Sequence, residues 1–277
     1  MKITVCIASR GRTAALIGVV MAAHRLKSGD HPVNFLLGMD SDDPDVPVVR
    51  DIIHGAAPVD FSIGTEPPLT RGSIENRMLK RAIEEGADAV TFLTDRTFII
   101  TPQRDAVMAH ACMAVPKRVV WWSCPEDPGC VIPIIPRQYA EVIDCTWDQG
   151  IHPFWWSDTY QQEIDLMING MPSLKINAYY SGARSTTNNG RDFKFWLDVF
   201  IAMRPKRRAQ AKVYAEHLGI PWPDQTKVED YFARYDATLA KRCEEFEKTF
   251  GDERPPSEAY LRAKANAELL LSDEGNT

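Results

Sequence analysis

The sequence lacks an apolar run long enough to cross a membrane, so we expect no membrane-spanning helix. Residues 1–4 lead directly into a strand-like segment instead of the charged and apolar regions of a signal peptide, which favours a cytoplasmic protein. The sequence also lacks an excess of basic charge, with 32 Lys and Arg against 38 Asp and Glu and a formal net charge of -6. This balance disfavours a general nucleic-acid-binding protein but is compatible with a local basic patch.

Three motifs that would define common classes of site are missing as well. No two cysteines have the Cys-x-x-C spacing, and several of them lie in apolar segments, so we expect buried, reduced thiols and no zinc site. No Gly-x-Gly-x-x-Gly follows the first predicted strand, which disfavours a dinucleotide-binding fold of the usual kind. A glycine-rich loop that ends in lysine is absent too, which disfavours a P-loop nucleotide site.

What is present is an alternation of short apolar runs and helix-like segments in the first part of the chain. Short runs of apolar and β-branched residues are typical of buried strands, and apolar residues at helical spacing are typical of helices packed on a sheet. This alternation predicts an α/β fold with a mostly parallel sheet flanked by helices. The predicted strands are 3–8, 33–39, 59–63 and 89–94. Three helices are predicted between them: one capped by Thr13, one over residues 46–54, and one capped by Ser73.

The second part of the chain is organised differently. Residues 116–153 are rich in proline, tryptophan and cysteine and are expected to form strands and loops. Residues 157–168 are expected to form a helix capped by Ser157, and the sequence after residue 206 is highly charged and mostly helical in pattern. We therefore expect a main α/β domain over 1–200 and a helical C-terminal extension over 201–277.

Polar groups follow three of the predicted strands at the point where each strand ends. They are Ser9–Arg12, Asp40–Asp43 and Thr94–Arg96. Because the carboxyl ends of parallel strands meet at one edge, where open α/β sheets bind ligands, we expect these groups to converge on one site. Arginine matches phosphate through paired N–H donors, and a carboxylate accepts hydrogen bonds from a base or a ribose. The sequence therefore predicts a ligand with both a phosphate and a hydrogen-bonding ring.

In their order and spacing these motifs resemble the nucleotide-sugar-dependent glycosyltransferases of the GT-A fold, most closely glycosyltransferase family 2. The resemblance covers roughly residues 1–170. The matching segments are Ile3–Arg12 for the opening strand and turn, Asp40 for the acid that contacts the nucleotide base, Arg71–Arg77 for the helix start before the metal-motif strand, Phe92–Arg96 for the Asp-x-Asp motif, and Phe154–Asp158 for the segment that supplies the catalytic acid.

The resemblance implies a GT-A-like (Rossmann-like) catalytic domain over residues 1–200. Such a domain transfers a sugar from a nucleoside diphosphate sugar to an acceptor hydroxyl, with inversion at the anomeric carbon, and a UDP-sugar is the first donor we expect. The residues that match the family's donor site are Ser9, Arg10, Arg12, Asp40, Arg71, Asp95 and Arg96.

The chain departs from the family at the metal motif. The last aspartate of Asp-x-Asp usually touches a divalent metal, but the motif here is Thr94-Asp95-Arg96. Under one interpretation Arg96 neutralises the donor diphosphate in place of the cation. Under a second, Asp95 alone holds Mn²⁺ or Mg²⁺, with the nucleotide phosphates and water as further ligands. Under a third, the site has decayed.

The general base that takes the acceptor proton is expected to be a carboxylate in the predicted helix 157–168. Asp158 is the first candidate because it lies in the first turn beside the aromatic segment Phe154–Trp156. Its competing interpretation is an acid favoured by the helix dipole. Asp165, seven residues later on the same predicted polar face, is the second candidate, with a solvated surface charge as the competing interpretation.

No motif identifies the acceptor. A hydroxylated base in nucleic acid, as in phage-type DNA-modifying glycosyltransferases, would suit the basic cluster Arg204–Arg208 and the aromatic pair Trp155–Trp156, although the acidic net charge argues against it. Two other classes of protein stay open. One is a nucleotidyltransferase, whose usual glycine-rich loop after the first strand is missing here. The other is a non-catalytic module that binds a sugar nucleotide or a glycan.

Overall fold

The computed structural model of the chain describes residues 1–53, 59–63, 71–124, 127–143, 157–169, 173–175, 178–180, 191–250, 255–256 and 258–274. These residues form strands and helices along the whole chain. In chain order they are β1 (Ile3–Ala8), α1 (Thr13–Arg25), β2 (Val33–Met39), α2 (Val46–Ile53), β3 (Val59–Ile63), α3 (Arg71–Glu84), β4 (Ala89–Thr94), β5 (Thr97–Ile99), α4 (Arg104–Ala114), β6 (Val120–Cys124), β7 (Asp127–Pro136), α5 (Arg137–Ala140), α6 (Ser157–Asn169), β8 (Ser173–Lys175), β9 (Ala178–Tyr180), α7 (Phe193–Ala202), α8 (Arg204–Leu218), α9 (Thr226–Phe250) and α10 (Glu258–Glu274).

β1 lies inside a seven-stranded sheet with the order β3-β2-β1-β4-β7-β6-β8. It pairs in parallel with β2 on one side and with β4 on the other, and the pairs β2–β3 and β6–β8 are parallel too. β7 runs antiparallel to both of its neighbours. A separate two-stranded sheet joins β5 and β9. The prediction of a mostly parallel α/β sheet flanked by helices is therefore confirmed.

The three strands that carry the predicted site end level with one another. Ala8, the last residue of β1, lies opposite Gly38 in β2 and Thr94 in β4. A Cβ at Gly38 would lie 2.2 Å from Cγ2 of Ile74, so glycine there lets α3 pack directly against β2. The residues that follow the three strands are consequently neighbours at one edge of the sheet.

α1 packs on the sheet through the apolar stripe that its spacing predicts. Leu16, Val19, Val20 and Ala23 have no exposed surface. Its start differs from the expectation, since Thr13 is the first helical residue instead of the cap. The hydroxyl of Thr13 donates instead to Oδ2 of Asp45, which follows β2 in the chain. The start of α3 also differs, because this helix begins before Ser73, the expected cap.

The chain divides into two compact units, Met1–Thr146 with Met171–Thr186, and Trp147–Gly170 with Thr187–Thr277. The first unit contains both sheets and the helices α1 to α5, and the second contains the helices α6 to α10. The C-terminal part is helical, as expected. A functional division at residue 200 stays a prediction. In the part of the chain that the structure describes, no helix has both the length and the apolar character needed to cross a membrane.

Candidate active site

The carboxyl edge of β1, β2 and β4 brings two ion-paired groups together, which we call the edge cluster. Its arginines come from the loop after β1, and its carboxylates come from the loops after β2 and β4. The sequence predicted this convergence from the three strand ends, and the structure places the charged groups within hydrogen-bond distance. The edge cluster consists of Arg10, Arg12, Asp40, Asp42 and Asp95.

Arg10 is held by two carboxylates from the loop after β2. Its Nη1 donates to Oδ2 of Asp40 at 2.6 Å and to Oδ1 of Asp42 at 2.7 Å, and its Nη2 donates to Oδ2 of Asp42 at 3.0 Å. The hydrogen bonds to Asp42 and Asp40 raise the pKa of Arg10, and the hydrogen bond from Arg10 lowers the pKa of Asp42. Both groups therefore stay charged at neutral pH, and the guanidinium has a fixed orientation.

Asp40 keeps one acceptor atom that is not used within the site. The residue is 3% exposed, and its Oδ2 accepts the hydrogen bond from Arg10. Its Oδ1 is buried and has no hydrogen-bond partner among the described residues. An unsatisfied buried acceptor typically costs about 1–3 kcal/mol, and more when it is charged. This oxygen is therefore suited to accept a hydrogen bond from a ligand.

Asp95 has both of its oxygens in use. Oδ1 accepts from Nη1 of Arg12 at 2.7 Å, and Oδ2 accepts from Oγ of Ser9 at 2.8 Å. The Asp95 side chain is 4% exposed and that of Arg12 is 14% exposed, so the ion pair is largely shielded from water. The backbone N–H of Ser9 also donates to the carbonyl oxygen of Gly38 at 3.0 Å, which continues the β1–β2 pairing into the site.

Two acids that are not among the predicted donor-site residues hold the loops of the site in place. Gly11 has φ of 63°, which favours glycine, and its backbone N–H donates to Oδ2 of Asp43 at 3.0 Å. The other oxygen of Asp43 accepts from the backbone N–H of Asp45 at 3.0 Å. Asp45 accepts from the hydroxyl of Thr13 at 2.6 Å. The sequence signal for this arrangement was the dense run of acids over residues 40–45, together with the glycine in the turn after β1.

Two further predicted donor-site residues, Arg96 and Arg71, are not part of the edge cluster. Arg96 is partly buried in the turn between β4 and β5, where its backbone N–H donates to Oγ1 of Thr94 at 3.2 Å. The hydroxyl groups of Thr94 and Thr97 share a hydrogen bond of 2.6 Å across this turn. Arg71 is the first residue of α3, and its side chain lies outside the described residues.

The groups around Asp95 do not fit a divalent metal. A guanidinium and a hydroxyl already occupy its two oxygens. Mn²⁺ and Mg²⁺ favour several oxygen ligands, and Mg²⁺ is usually held by one or two carboxylates together with phosphates and waters. Among the residues that the structure describes, no three His, Cys, Asp or Glu side chains are grouped so that they could hold a metal ion.

The two candidate bases lie in α6, in the second unit. The side chain of Asp158 is outside the described residues, so its role stays a prediction. Asp165 is 5% exposed and accepts a hydrogen bond from Nε2 of Gln161 at 2.9 Å. Its interpretation as a solvated surface charge is therefore wrong. Gln161, Gln162 and Glu163 are buried as well, so these polar side chains of α6 are covered by protein.

Glu163 is the centre of a second charged group, which we call the helix cluster. Its Oε1 accepts from Nη2 of Arg204 at 2.7 Å, and its Oε2 accepts from Nε of Arg207 at 2.8 Å. Arg204 also donates to both oxygens of Asp236, at 2.7 and 2.8 Å. The helix cluster consists of Glu163, Arg204, Arg207 and Asp236.

The helix cluster changes the interpretation of the basic cluster Arg204–Arg208. The side chains of Arg204 and Arg207 are 12% and 2% exposed, and Arg208 forms an ion pair with Glu229. Three of the four basic side chains of this cluster thus have acidic partners within the protein. The expectation of an open basic patch for a polyanionic acceptor is not supported by this arrangement.

The chain matches no protein-family model, and no curated protein matches it in sequence. Its fold does match solved structures. TarS from S. aureus superposes with a TM-score of 0.56 at 13% identity, over 79% of this chain and 43% of TarS, so this chain spans less than half the length of that protein. A shorter TarS structure, residues 1-349 with UDP-GlcNAc, gives a TM-score of 0.53 at 12% identity, over 79% of this chain and 72% of that one.

Two further solved structures superpose on nearly the whole of this chain. The mannosyltransferase PcManGT from Pyrobaculum calidifontis, solved with GDP-Man and Mn²⁺, has a TM-score of 0.51 at 9% identity, over 97% of this chain and 84% of its own. GalNAc-T7, solved with UDP, GalNAc and Mn²⁺, has a TM-score of 0.56 at 10% identity, over 93% and 59%. At these identities the likeness shows the fold. The chain therefore has the GT-A fold, and the resemblance is confirmed at that level.

Proposed function

We propose that the protein is a glycosyltransferase that uses a nucleoside diphosphate sugar as donor. The observation that carries the proposal is the buried, unsatisfied Oδ1 of Asp40 at the carboxyl edge of a GT-A sheet. Ligands of open α/β sheets bind at this edge, and a nucleotide base offers the N–H donor that this oxygen lacks. The donor class is supported by the fold neighbours, since TarS was solved with UDP-GlcNAc and PcManGT with GDP-Man.

The proposed base contact favours a UDP-sugar. Because Arg10 already occupies Oδ2 of Asp40, only one oxygen of this carboxylate is open to the base. Uracil presents a single ring N–H, whereas guanine presents two adjacent N–H groups that match a carboxylate with both oxygens open. Arg10 would hold Asp40 in the orientation that receives the base.

The diphosphate of the donor is assigned to the loops after β1 and β4. Arg12 and Arg96 supply positive charge there, and Asp95 and Ser9 fix the position of Arg12. Arg71, at the start of α3, is the further donor contact that the resemblance implies. Guanidinium groups bind phosphate oxygens through paired N–H donors, which suits this part of the ligand.

The acceptor side of the proposal rests on α6. Asp158 is proposed as the general base that takes the proton of the acceptor hydroxyl, and the transfer is proposed to invert the anomeric carbon. Asp165 is kept as the second candidate, although its oxygen already accepts a hydrogen bond from Gln161.

A hydroxylated base in DNA is the narrowest form of the acceptor proposal. Its two supports in the sequence were the basic cluster, most of which is paired within the protein, and Trp155–Trp156, which lie outside the described residues. Transfer of labelled sugar to hydroxymethylated DNA, compared with a panel of glycan and small-alcohol acceptors, tests it. Label that enters only the glycans or alcohols would remove DNA as the acceptor.

A thermal-shift screen of nucleoside diphosphate sugars tests the proposed donor class. A ligand that binds only the native state raises the unfolding temperature, so at least one donor should do so for the wild type. Asp40→Asn should lose that shift and keep the unfolding temperature of the free protein. Asp30→Asn, at an exposed acid in the same unit, is the matched control. The absence of a shift with every donor would contradict the proposal.

Turnover separates the proposed enzyme from the two other classes. Release of nucleoside diphosphate from a labelled donor is expected from a glycosyltransferase. A nucleotidyltransferase would instead release pyrophosphate from a nucleoside triphosphate. A binding module would retain the donor without turnover, and this result would contradict the proposed activity while leaving the donor site in place.

A further inference from the structure

We infer that the protein binds the donor diphosphate without a divalent metal, because Arg12 occupies the position on Asp95 that a cation would take. The inference rests on the proposed function and goes beyond it, since it assigns the phosphate-binding charge to a side chain of the protein. It also replaces Arg96 by Arg12 as the principal residue for this task.

The first argument is the state of the Asp95 carboxylate. Its Oδ1 accepts from Arg12 at 2.7 Å and its Oδ2 accepts from Ser9 at 2.8 Å. A metal ion bound to Oδ1 would either displace the guanidinium or lie directly beside it, on a carboxylate that is 4% exposed. Breaking a buried pair leaves an uncompensated charge, and a metal placed beside the displaced Arg12 would be repelled by it.

The second argument is the set of donors that Arg12 retains. Only Nη1 is engaged with Asp95. Nε is buried and has no hydrogen-bond partner among the described residues. The edge of a guanidinium that carries Nε can donate two parallel hydrogen bonds to a phosphate group. Asp95 is therefore a positioning residue that fixes one end of the guanidinium, while the Nε at its other edge has no partner among the described residues.

The third argument is the balance of charge at the sheet edge. The arginines Arg10, Arg12 and Arg96 equal the acids Asp40, Asp42 and Asp95 in number, so these six groups carry no net charge. An acid in place of Arg96, as in the usual Asp-x-Asp motif, would make them net negative. A diphosphate therefore meets no excess of negative charge among these groups that an added cation would have to offset.

Calorimetric titration with UDP, and with GDP in parallel, tests the inference on the full chain. The wild type should bind its preferred nucleotide with the same affinity in EDTA and in Mn²⁺. Arg12→Ala should bind on the order of ten- to a hundredfold more weakly in EDTA, since it loses hydrogen bonds to a charged group. Mn²⁺ should then restore part of the affinity, because the Asp95 carboxylate becomes open to a cation.

One control variant and one further test variant accompany Arg12→Ala. Arg81→Ala removes a partly exposed arginine that pairs with Glu85 in the same unit, and it should bind like the wild type. Asp95→Asn keeps the shape of the side chain and removes its charge. Its binding in EDTA should fall only several-fold, and Mn²⁺ should not change it. If Arg12→Ala does not fold, Asp95→Asn takes its place in the titration.

Three results would contradict the inference. Wild-type binding that requires Mn²⁺ would overturn the inference and leave the proposed function standing. Unchanged affinity of Arg12→Ala in EDTA would overturn it as well. If neither nucleotide binds under either condition, both the inference and the proposed function are wrong.

Discussion

The edge cluster and the helix cluster are built from the same chemical groups but use them differently. In the helix cluster, both oxygens of Glu163 and of Asp236 accept hydrogen bonds from the arginines. Arg207 also donates to the carbonyl oxygen of Phe200 and lies 3.8 Å above its ring. In the edge cluster, by contrast, Asp40 retains a carboxylate oxygen that no described residue satisfies.

The two clusters also differ in their exposure to water. The side chains of Glu163 and Arg207 are each 2% exposed, whereas those of Arg10 and Arg12 are 32% and 14% exposed. Burial lowers the pKa of Arg207, and the carboxylate of Glu163 beside it opposes this shift. In the helix cluster every carboxylate oxygen is paired, although Nη1 of Arg207 is buried without a partner among the described residues. Carboxylates that are fully paired inside the protein are typical of a structural ion pair, and an unpaired carboxylate oxygen at a sheet edge is suited to a ligand.

The largest effect is expected for Asp158→Asn, which tests whether α6 has a chemical role besides its structural one. Loss of a positioned base typically lowers the rate by about 10²–10⁴-fold. Donor binding and the unfolding temperature should stay near the wild-type values, since the amide keeps the shape of the side chain. Steady-state turnover of a labelled donor measures the effect. Wild-type turnover would move the assignment to Asp165.

Glu163→Ala should have the next largest effect, on stability. It leaves Arg204 and Arg207 buried without their shared carboxylate, which typically costs about 3–5 kcal/mol. Urea unfolding measures the loss. Lys194→Ala breaks an exposed pair with Asp198 in the same unit, and its cost should stay below about 0.5 kcal/mol. A loss for Glu163→Ala as small as that of the control would show that the helix cluster is not structural.

Asp40→Ala should have the opposite profile to Glu163→Ala. Its affinity for the preferred nucleotide should fall by about ten- to a hundredfold, since a hydrogen bond to a charged group is lost. Its stability should change little, because Arg10 keeps both of its hydrogen bonds to Asp42. Calorimetric titration and urea unfolding measure the two quantities together. Unchanged affinity for every nucleotide that the wild type binds would remove Asp40 from the site.

The smallest effect is expected for Arg96→Ala. If Arg12 provides the main phosphate contact, removal of the second positive charge should weaken donor binding by about three- to tenfold. The same titrations in EDTA measure this change. A larger loss for Arg96→Ala than for Arg12→Ala would reverse the assignment between the two arginines.

The strands β1 to β4 were predictable because each is a short, mostly apolar run between turn residues. Their parallel pairing made the meeting of Arg10 and Asp40 predictable too. The pairing of Arg12 with Asp95 was not, since the direction of a side chain at a strand end depends on neighbours that are distant in sequence. Thr13 illustrates the same limit, because it fits a helix cap locally but donates to Asp45 in the structure.

The burial of α6 was unpredictable for a related reason. Helical periodicity identified its apolar face, and Ile164 and Met167 are indeed fully buried. A solvated surface charge was the competing interpretation of Asp165, because periodicity carries no information about a second packing surface. Glu163 is buried by its pairing with Arg204 and Arg207, which lie some forty residues later in the chain. Charge spacing alone marked those arginines as a surface patch.

Side-chain NMR of the arginines tests the contrast between the two clusters in one titration. The Nε–H signals of Arg12 and Arg207 are followed while the nucleotide found in the thermal-shift screen is added. We predict that the Arg12 signal moves, because its Nε gains a phosphate acceptor. The Arg207 signal should stay in place, because its Nε already donates to Glu163. A stationary Arg12 signal, or a shift confined to Arg207, would contradict the assignment of the edge cluster as the donor site.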